Sequence, residues 1–249
     1  MQLIRNCRWL AMCLVAGTVG QAQSLPVTTR QVLVVTTKSW TSVAGKLQRY
    51  ELVAQKWQPI GKPIPVSVGK NGLAWGRGIY RGGPDAPAKH EGDGRAPAGI
   101  FRLGPAFGYS RRAPLGCKLA YRPITDRDYF VDAPASTDYN RWVTIPASRP
   151  NRPEKLWPSF ERMKRLDRLY EFGIVVQQND SPVVKGKGSA IFLHVWRAPG
   201  VPTVGCTAMA REDLLMLLRW LDPKQEPLLV QTPEDEIKSI LGVTIRMQP

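Results

Sequence analysis

Proline and glycine recur along the whole of this chain and divide its apolar residues into short runs. The 249 residues include 22 prolines and 22 glycines, and both residue types disfavour the interior of a helix or strand. The runs between them are rich in β-branched residues or alternate apolar with polar residues, which is typical of short strands. Strands are predicted over residues 31–37, 46–54, 63–68, 129–131, 142–145, 174–177, 190–196 and 227–230.

Helical periodicity occurs in only two or three places. Residues 157–172 carry apolar side chains at helical spacing, between Ser159 as N-cap and Gly173 as the stop, and predict a helix. A second helix is predicted from Ala210, with leucines along one face, and a short last helix from Thr232, with a capping-box pattern. Because helices and strands do not alternate regularly, we expect a mainly β or α+β fold with two or three short helices.

The N-terminus has the features of a secretory signal peptide. Arg5 and Arg8 precede an apolar stretch that is too short to span a bilayer, and the small residue Ala22 stands before the expected cleavage point. We therefore predict a signal peptide over residues 1–22 and an exported, soluble mature chain without a stable membrane anchor. No repeat or linker divides residues 23–249, so the sequence predicts a single domain there.

The predicted mature chain is strongly basic. It keeps 33 Lys and Arg against 20 Asp and Glu, which gives a net charge of +13. A surface of this kind attracts polyanions. Nucleic acid is not an expected partner for an exported protein, so anionic polymers of the cell wall are the natural candidates. The alternative is that the charge serves solubility alone.

One segment combines a histidine and a cysteine in a chain that has few of either. His194 follows the apolar residues 190–193, and a loop rich in proline and glycine leads from it to Gly205 and Cys206. A cysteine attacks as its thiolate, and a neighbouring imidazole can remove the thiol proton. The segment therefore predicts Cys206 as a nucleophile, with His194 acting first as general base and then as general acid.

Both residues also have structural explanations. In an oxidising compartment the two cysteines that remain after cleavage, Cys117 and Cys206, are equally compatible with a disulfide. The alternative for His194 is a buried, hydrogen-bonded core histidine. Two histidines and two cysteines at unrelated spacings make a poor set of zinc ligands, so we predict no metal and no cofactor.

The residues around Cys206 predict how the thiol would be used. The helix that starts near Ala210 is expected to place its N-terminus close to the thiol and to lower the thiol pKa. Backbone N–H groups at Gly205 and Thr207 are expected to hold the oxyanion of a tetrahedral intermediate. Arg197, in the loop before Cys206, has a planar guanidinium that suits a substrate carboxylate. A solvated loop charge is the alternative for Arg197.

The segment that ends at Cys206 resembles the catalytic motif of the L,D-transpeptidases, the cysteine enzymes that remodel peptidoglycan. Three upstream pieces are also similar to sequences of this family: residues 89–101 (KHEGDGRAPAGIF), 139–141 (Tyr-Asn-Arg) and 186–194 (GKGSAIFLH). The resemblance spans residues 31–230, which is nearly the whole of the predicted mature chain. It implies a mainly β catalytic domain with the histidine and the cysteine at one end of a sheet.

The resemblance also implies roles for single residues. It makes Cys206 the nucleophile, leaves Cys117 as a free thiol and places Asn140 among the substrate-binding residues. Many members carry Ser-His before the Gly-Cys pair and an arginine two residues after the cysteine. This chain has Thr203-Val204 and an alanine at those positions, so carboxylate recognition by that arginine is absent.

The activity implied by the resemblance is acyl transfer on peptidoglycan stem peptides in the periplasm or cell wall. Cys206 would form a thioester with the third stem residue, a diamino acid, and the side-chain amine of a second stem would accept the acyl group in a 3→3 cross-link. One alternative uses the same site with water, as an L,D-carboxypeptidase or hydrolase. Another is a non-catalytic wall-binding module with a disulfide between Cys117 and Cys206.

Overall fold

The computed structural model of the chain describes residues 25–80, 82 and 86–241, so the predicted signal peptide lies outside the described residues. The strands are β1 (Gln31–Thr37), β2 (Ala44–Val53), β3 (Lys56–Ser67), β4 (Leu73–Trp75), β5 (Ala96–Gly108), β6 (Tyr121–Pro123), β7 (Asp128–Val131), β8 (Arg141–Thr144), β9 (Glu161–Arg162), β10 (Phe172–Val176), β11 (Phe192–Val195), β12 (Thr207–Met209) and β13 (Leu228–Pro233). The helices are α1 (Arg211–Trp220) and α2 (Ile237–Leu241), with 3-10 turns at Pro153–Lys155, Pro223–Gln225 and Glu234–Glu236. The fold is mainly β, as the sequence predicts.

Ten of the described strands form one sheet that closes on itself. The order is β10-β11-β12-β3-β2-β1-β13-β5-β4, with β6 beside β5. Strand β10 also pairs with β5, which closes the strands from β10 to β5 into a ring, with β4 and β6 paired to β5 outside it. Strands β11 and β12 lie within this ring and are paired on both sides, so their backbones are fixed within the sheet. A second sheet of three strands, in the order β8-β7-β9, lies between β6 and β10 in the chain.

Strand β1 shows how the sequence builds the centre of the large sheet. All seven residues of QVLVVTT are buried, and β-branched side chains suit a strand that is covered on both faces. It pairs in parallel with β13 and antiparallel with β2. Helix α1 covers part of this core with three fully buried leucines, Leu214, Leu217 and Leu218. No helix in the described part of the chain has the length and apolar character needed to cross a membrane.

The prediction of a helix over residues 157–172 is wrong. The segment forms turns and the short strand β9 instead. Its apolar side chains do not share a face, because Trp157 packs in one cluster and Met163 and Tyr170 in another. Leu166, which the helical pattern places on the buried face, is fully exposed. The Met163 N–H donates to the Asp128 carbonyl across the small sheet, so the backbone bonds of the segment are not helical.

The helix predicted from Thr232 begins later than expected. Residues up to Pro233 belong to β13, a 3-10 turn follows, and α2 starts at Ile237. Thr232 and Pro233 pair with the end of β1 in a parallel ladder. Pairing with a buried strand therefore outweighs the local capping signal at this position.

Candidate active site

Cys206 lies at the end of the loop between β11 and β12. Its thiol is buried, accepts a hydrogen bond from the Phe192 N–H at 3.4 Å and donates to the Ala190 carbonyl at 3.5 Å. The surrounding cluster is largely aromatic and includes Phe107 and Tyr170. Burial raises the pKa of the Cys206 thiol to about 12, because a thiolate loses its hydration there. The resting group is therefore a neutral thiol at pH 7.

The helix α1 does not stabilise a thiolate in the way the sequence predicts. Cys206 precedes β12, and α1 begins beyond the far end of this strand. Three strand residues span about 10 Å, which is more than the reach of a helix terminus within its first turn. The expectation of a lowered thiol pKa is wrong for this reason.

His194 lies on β11, the strand beside β12, in register with Ala208. The ring is buried, stacks edge-on against Tyr170 with centroids 5.2 Å apart, and has its Nδ1 2.8 Å from the Val195 carbonyl oxygen. A carbonyl only accepts, so Nδ1 carries the proton and Nε2 is the free base of the neutral ring. Burial lowers the pKa of His194 to about 4.

Two cavities meet at Cys206. The first has a volume of about 290 Å³, and the second has a volume of about 180 Å³ and is also lined by His194. Glu161 lines both. The described structure thus places a neutral thiol and a neutral imidazole along one cavity, with the thiol bonded to the Ala190 carbonyl.

Thr203 holds the loop that carries the thiol. Its Oγ1 donates to the Cys206 carbonyl at 2.7 Å and accepts from the Gly205 N–H at 3.0 Å. Its backbone N–H and carbonyl bond to Val68 and Lys70, at the start of the glycine-rich turn after β3. Sequence reasoning missed this role. The available signal was a short hydroxyl side chain three residues before the cysteine.

Gly205 has a conformation that favours glycine. Its φ is +153°, and a Cβ at this position would lie 3.2 Å from the Arg95 carbonyl oxygen. Glycine therefore allows the loop that carries Cys206 to approach the backbone at Arg95 closely, directly beside the nucleophile.

The oxyanion roles of Gly205 and Thr207 stay predictions. The Gly205 N–H is bonded to Thr203, and Thr207 lies within β12 with its Oγ1 donating to Gln231 at 2.6 Å. Among the bonds of residues 25–80, 82 and 86–241, none engages the Cys206 N–H. That group is a further candidate donor, because it is adjacent to the attacking sulfur.

Arg197 and Asn140 have different surroundings. Arg197 lines the second cavity, with its side chain 66% exposed and 3.6 Å from the Asp167 carboxylate. Asn140 lines neither of the two cavities. Its amide donates to two backbone carbonyls and accepts from the Ala190 N–H at 3.3 Å. These bonds hold the loop before β11, and the substrate contact of Asn140 stays a prediction.

The upstream pieces of the resemblance come together around the first cavity. Glu91 accepts hydrogen bonds from the Tyr139 hydroxyl and from the Ser189 hydroxyl, the latter at 2.7 Å. The buried Lys89 forms an ion pair with Asp93. These bonds join segments that are about 50 and 100 residues apart in the chain into one wall beside Cys206.

The segment wrongly predicted as a helix supplies four further residues of the second cavity. Glu161, Arg165, Leu169 and Tyr170 all line it. Arg165 binds Glu161 at 3.1 Å and lies 5.1 Å from the centre of the Tyr170 ring. Sequence reasoning missed these residues because a helix over this segment would separate them from Cys206.

The disulfide of the wall-binding alternative is not formed. Cys117 and Cys206 are both free thiols, and they pack against different hydrophobic clusters. Within the described residues, no group of three or more His, Cys, Asp or Glu side chains is arranged to hold a metal ion.

The fold and the site define a mainly β domain with two neighbouring parallel strands at the site. The first strand, β11, carries the histidine, and the cysteine directly precedes the second strand, β12. Residues 42–231 match YkuD, the L,D-transpeptidase catalytic domain, and the chain belongs to this family. This match supports a peptidoglycan-related function of the L,D-transpeptidase family.

Comparison with curated proteins finds no match. Among solved structures, the chain is similar to the crystal structure of the helical cell shape determining protein Pgp2 from Campylobacter jejuni, with 13% identity and a TM-score of 0.40. The match covers 86% of this chain and 51% of that one, so this chain spans about half of its length.

Proposed function

We propose that the protein is an exported cysteine acyl-transferase that acts on peptidoglycan stem peptides. The observation that carries the proposal is the shared cavity of Cys206 and His194, in a chain of the L,D-transpeptidase family. The acyl donor is a tetrapeptide stem with a diamino acid as its third residue. The acyl acceptor is the side-chain amine of a second stem, and the product is a 3→3 cross-link.

The first half-reaction forms a thioester on Cys206. Nε2 of His194 takes the thiol proton as the sulfur attacks the carbonyl carbon of the third stem residue. His194 then donates this proton to the nitrogen of the leaving D-alanine, and the C–N bond breaks. Both groups begin and end neutral, so the step needs no charged resting state. The N–H groups beside the sulfur stabilise the oxyanion.

Export and wall partners complete the proposal. The predicted signal peptide, residues 1–22, delivers the chain to the periplasm or cell wall, where stem peptides are found. The net charge of +13 on the mature chain favours contact with anionic wall polymers.

Product analysis with purified disaccharide-tetrapeptide tests the function. We expect cross-linked dimer from the mature protein and less than about 1% of that rate from Cys206→Ala, because loss of a covalent nucleophile costs several orders of magnitude. Liquid chromatography with mass spectrometry separates the products. Tripeptide without dimer would make the protein an L,D-carboxypeptidase or hydrolase.

Cys117→Ala is the matched control, because Cys117 is the other free thiol of the described chain and lines neither of the two cavities at Cys206. We expect it to retain wild-type product formation. Equal activity of Cys206→Ala and Cys117→Ala would contradict the proposed function.

A further inference from the structure

Glu161 is the acidic residue common to the two cavities that meet at Cys206. The first cavity is also lined by Glu91 and Asp132, whereas Glu161 is the one acid among the residues described along the second. It is placed by pairing of β9 with β7, in register with Phe130. Its side chain is only 19% exposed. Since Cys206 also lines both cavities, a group bound at Glu161 shares a cavity with an acyl group on Cys206.

Two donors hold the Glu161 carboxyl, and it lines both cavities between them. Arg165 donates to one oxygen of Glu161 at 3.1 Å and makes two further bonds to Asp167. The Tyr170 hydroxyl also forms a hydrogen bond with the Glu161 carboxyl. Asp132, which follows β7, has a buried Oδ1 without a hydrogen-bond partner among the described residues. An unpaired buried carboxylate oxygen is costly unless a donor fills the space beside it.

The two lysines that line the first cavity do not neutralise its acidic residues, Glu91, Asp132 and Glu161. Lys89 is paired with Asp93, and Lys70 is an exposed lysine at the cavity edge. Burial raises the pKa of the Glu161 carboxyl. An ionised Glu161 is therefore a stronger base than an exposed glutamate.

The chemistry of the second half-reaction creates a need for such a group. A stem amine is an ammonium at pH 7 and must lose two protons to become an amide nitrogen, whereas water loses one when it hydrolyses a thioester. His194 accepts one proton and returns it to the departing sulfur. Nothing in the Cys206–His194 pair accepts the other proton, so an amine acceptor needs a second base.

Building on the proposed function, we propose that Glu161 binds the ammonium group of the acceptor and removes its first proton. The Glu161 carboxylate becomes a carboxylic acid, and the ammonium becomes a free amine. The amine nitrogen attacks the thioester carbon, the C–S bond breaks, and His194 moves the second proton from nitrogen to sulfur. Glu161 then releases its proton to water. The residue thereby favours transfer to an amine over hydrolysis.

The test compares Glu161→Gln with wild type in two separate steps. Acylation is followed as the mass increase of the protein with disaccharide-tetrapeptide, and transfer as the rate of dimer formation per acylated protein. At pH 7 we expect transfer by Glu161→Gln to fall about 100-fold, which is the usual range for loss of a general base. We expect acylation to fall far less. Glu154→Gln, an exposed change in the 3-10 turn Pro153–Lys155, is the control and retains both rates.

Raising the pH separates a proton acceptor from a structural residue. The free-base fraction of an amine with a pKa of about 10.4 rises about tenfold per unit between pH 7 and pH 9, so transfer by Glu161→Gln recovers by the same factor. The pKa values of about 4 for His194 and about 12 for Cys206, and the strongly raised pKa of Tyr170, keep these neighbours unchanged over this range.

Three results would overturn the inference. The first is wild-type transfer by Glu161→Gln at pH 7, and the second is a deficit that does not shrink as the pH rises. The third is wild-type protein that becomes acylated and yields only tripeptide, which removes the amine acceptor but leaves Cys206 as nucleophile. Wild-type protein that is never acylated would instead overturn the proposed function, and the role of Glu161 with it.

Discussion

At the residue scale, the resting Cys206 and His194 are both uncharged. Burial raises the pKa of the thiol to about 12 and lowers the pKa of the imidazole to about 4. A preformed thiolate–imidazolium pair is therefore disfavoured by desolvation of both charges. The proton moves only when a carbonyl is in place to receive the sulfur. Such a thiol is protected from adventitious alkylation and oxidation while no substrate is bound.

Thr203 is the residue whose removal tests how the thiol is positioned. Thr203→Val keeps the shape of the side chain but removes both hydrogen bonds of Oγ1, to the Cys206 carbonyl and the Gly205 N–H. We expect the rate of acylation by a tetrapeptide to fall about tenfold, which corresponds to about 1.4 kcal/mol. Acylation is measured by intact-protein mass spectrometry.

Thr203→Ser is the conservative control for this experiment. It retains Oγ1, so we expect the acylation rate to stay within about twofold of wild type, since surface-loop changes that keep their hydrogen bonds cost little. A Thr203→Val protein that acylates as fast as Thr203→Ser would show that the hydroxyl does not position Cys206.

At the element scale, several strands of the large sheet were predictable, whereas its longest strand, β5, and the segment before β10 were not. The predicted strands at residues 31–37, 63–68 and 190–196 coincide with or overlap β1, β3 and β11, because their apolar runs are buried by direct strand pairing. Cys206 and His194 were likewise proposed as a pair from local sequence, since one loop joins them, and their catalytic roles stay predictions. Residues 157–172 show helical spacing by coincidence, because their side chains serve two separate clusters. Glu161 reaches the site only through pairing across the small sheet, which local periodicity does not reveal.

The docking of this segment on the aromatic cluster around Cys206 gives an element-scale prediction. Met163 is fully buried there, whereas Leu166, three residues later, is fully exposed. We expect Met163→Ala to lower the free energy of unfolding by about 2–4 kcal/mol, because it leaves a cavity in the core. Leu166→Ala should change it by no more than about 0.5 kcal/mol. Urea unfolding followed by tryptophan fluorescence measures both. Equal losses in the two variants would contradict the described docking.

At the scale of the whole molecule, the closed sheet makes the site part of the domain core. β11 and β12 are paired on both sides, and His194 is buried between the sheet and the segment that carries Tyr170. The charge state of His194 is for this reason linked to the stability of the entire domain.

This linkage predicts a loss of stability in acid. The folded pKa of His194 is about 4, below its ordinary value of 6.5, so the unfolded chain binds the proton more tightly. The stabilisation is complete above pH 6.5 and is lost as the pH falls towards 4. At pH 4.5 the loss amounts to about 2.5 kcal/mol.

The measurement is the difference in the free energy of unfolding between pH 7.5 and pH 4.5, obtained from urea titrations. Carboxylates contribute to the same difference, so the variant His194→Gln isolates the histidine: its loss on acidification should be smaller than that of wild type by about 2.5 kcal/mol. His90→Gln is the matched control, because His90 is exposed and is the other histidine of the chain. We expect it to show the full wild-type loss. An equal loss of unfolding free energy on acidification in His194→Gln and His90→Gln would mean that the imidazole of His194 is hydrated in the folded protein. The folded protein would then protonate His194 in acid, and the neutral histidine on which acylation of Cys206 depends would be lost without unfolding.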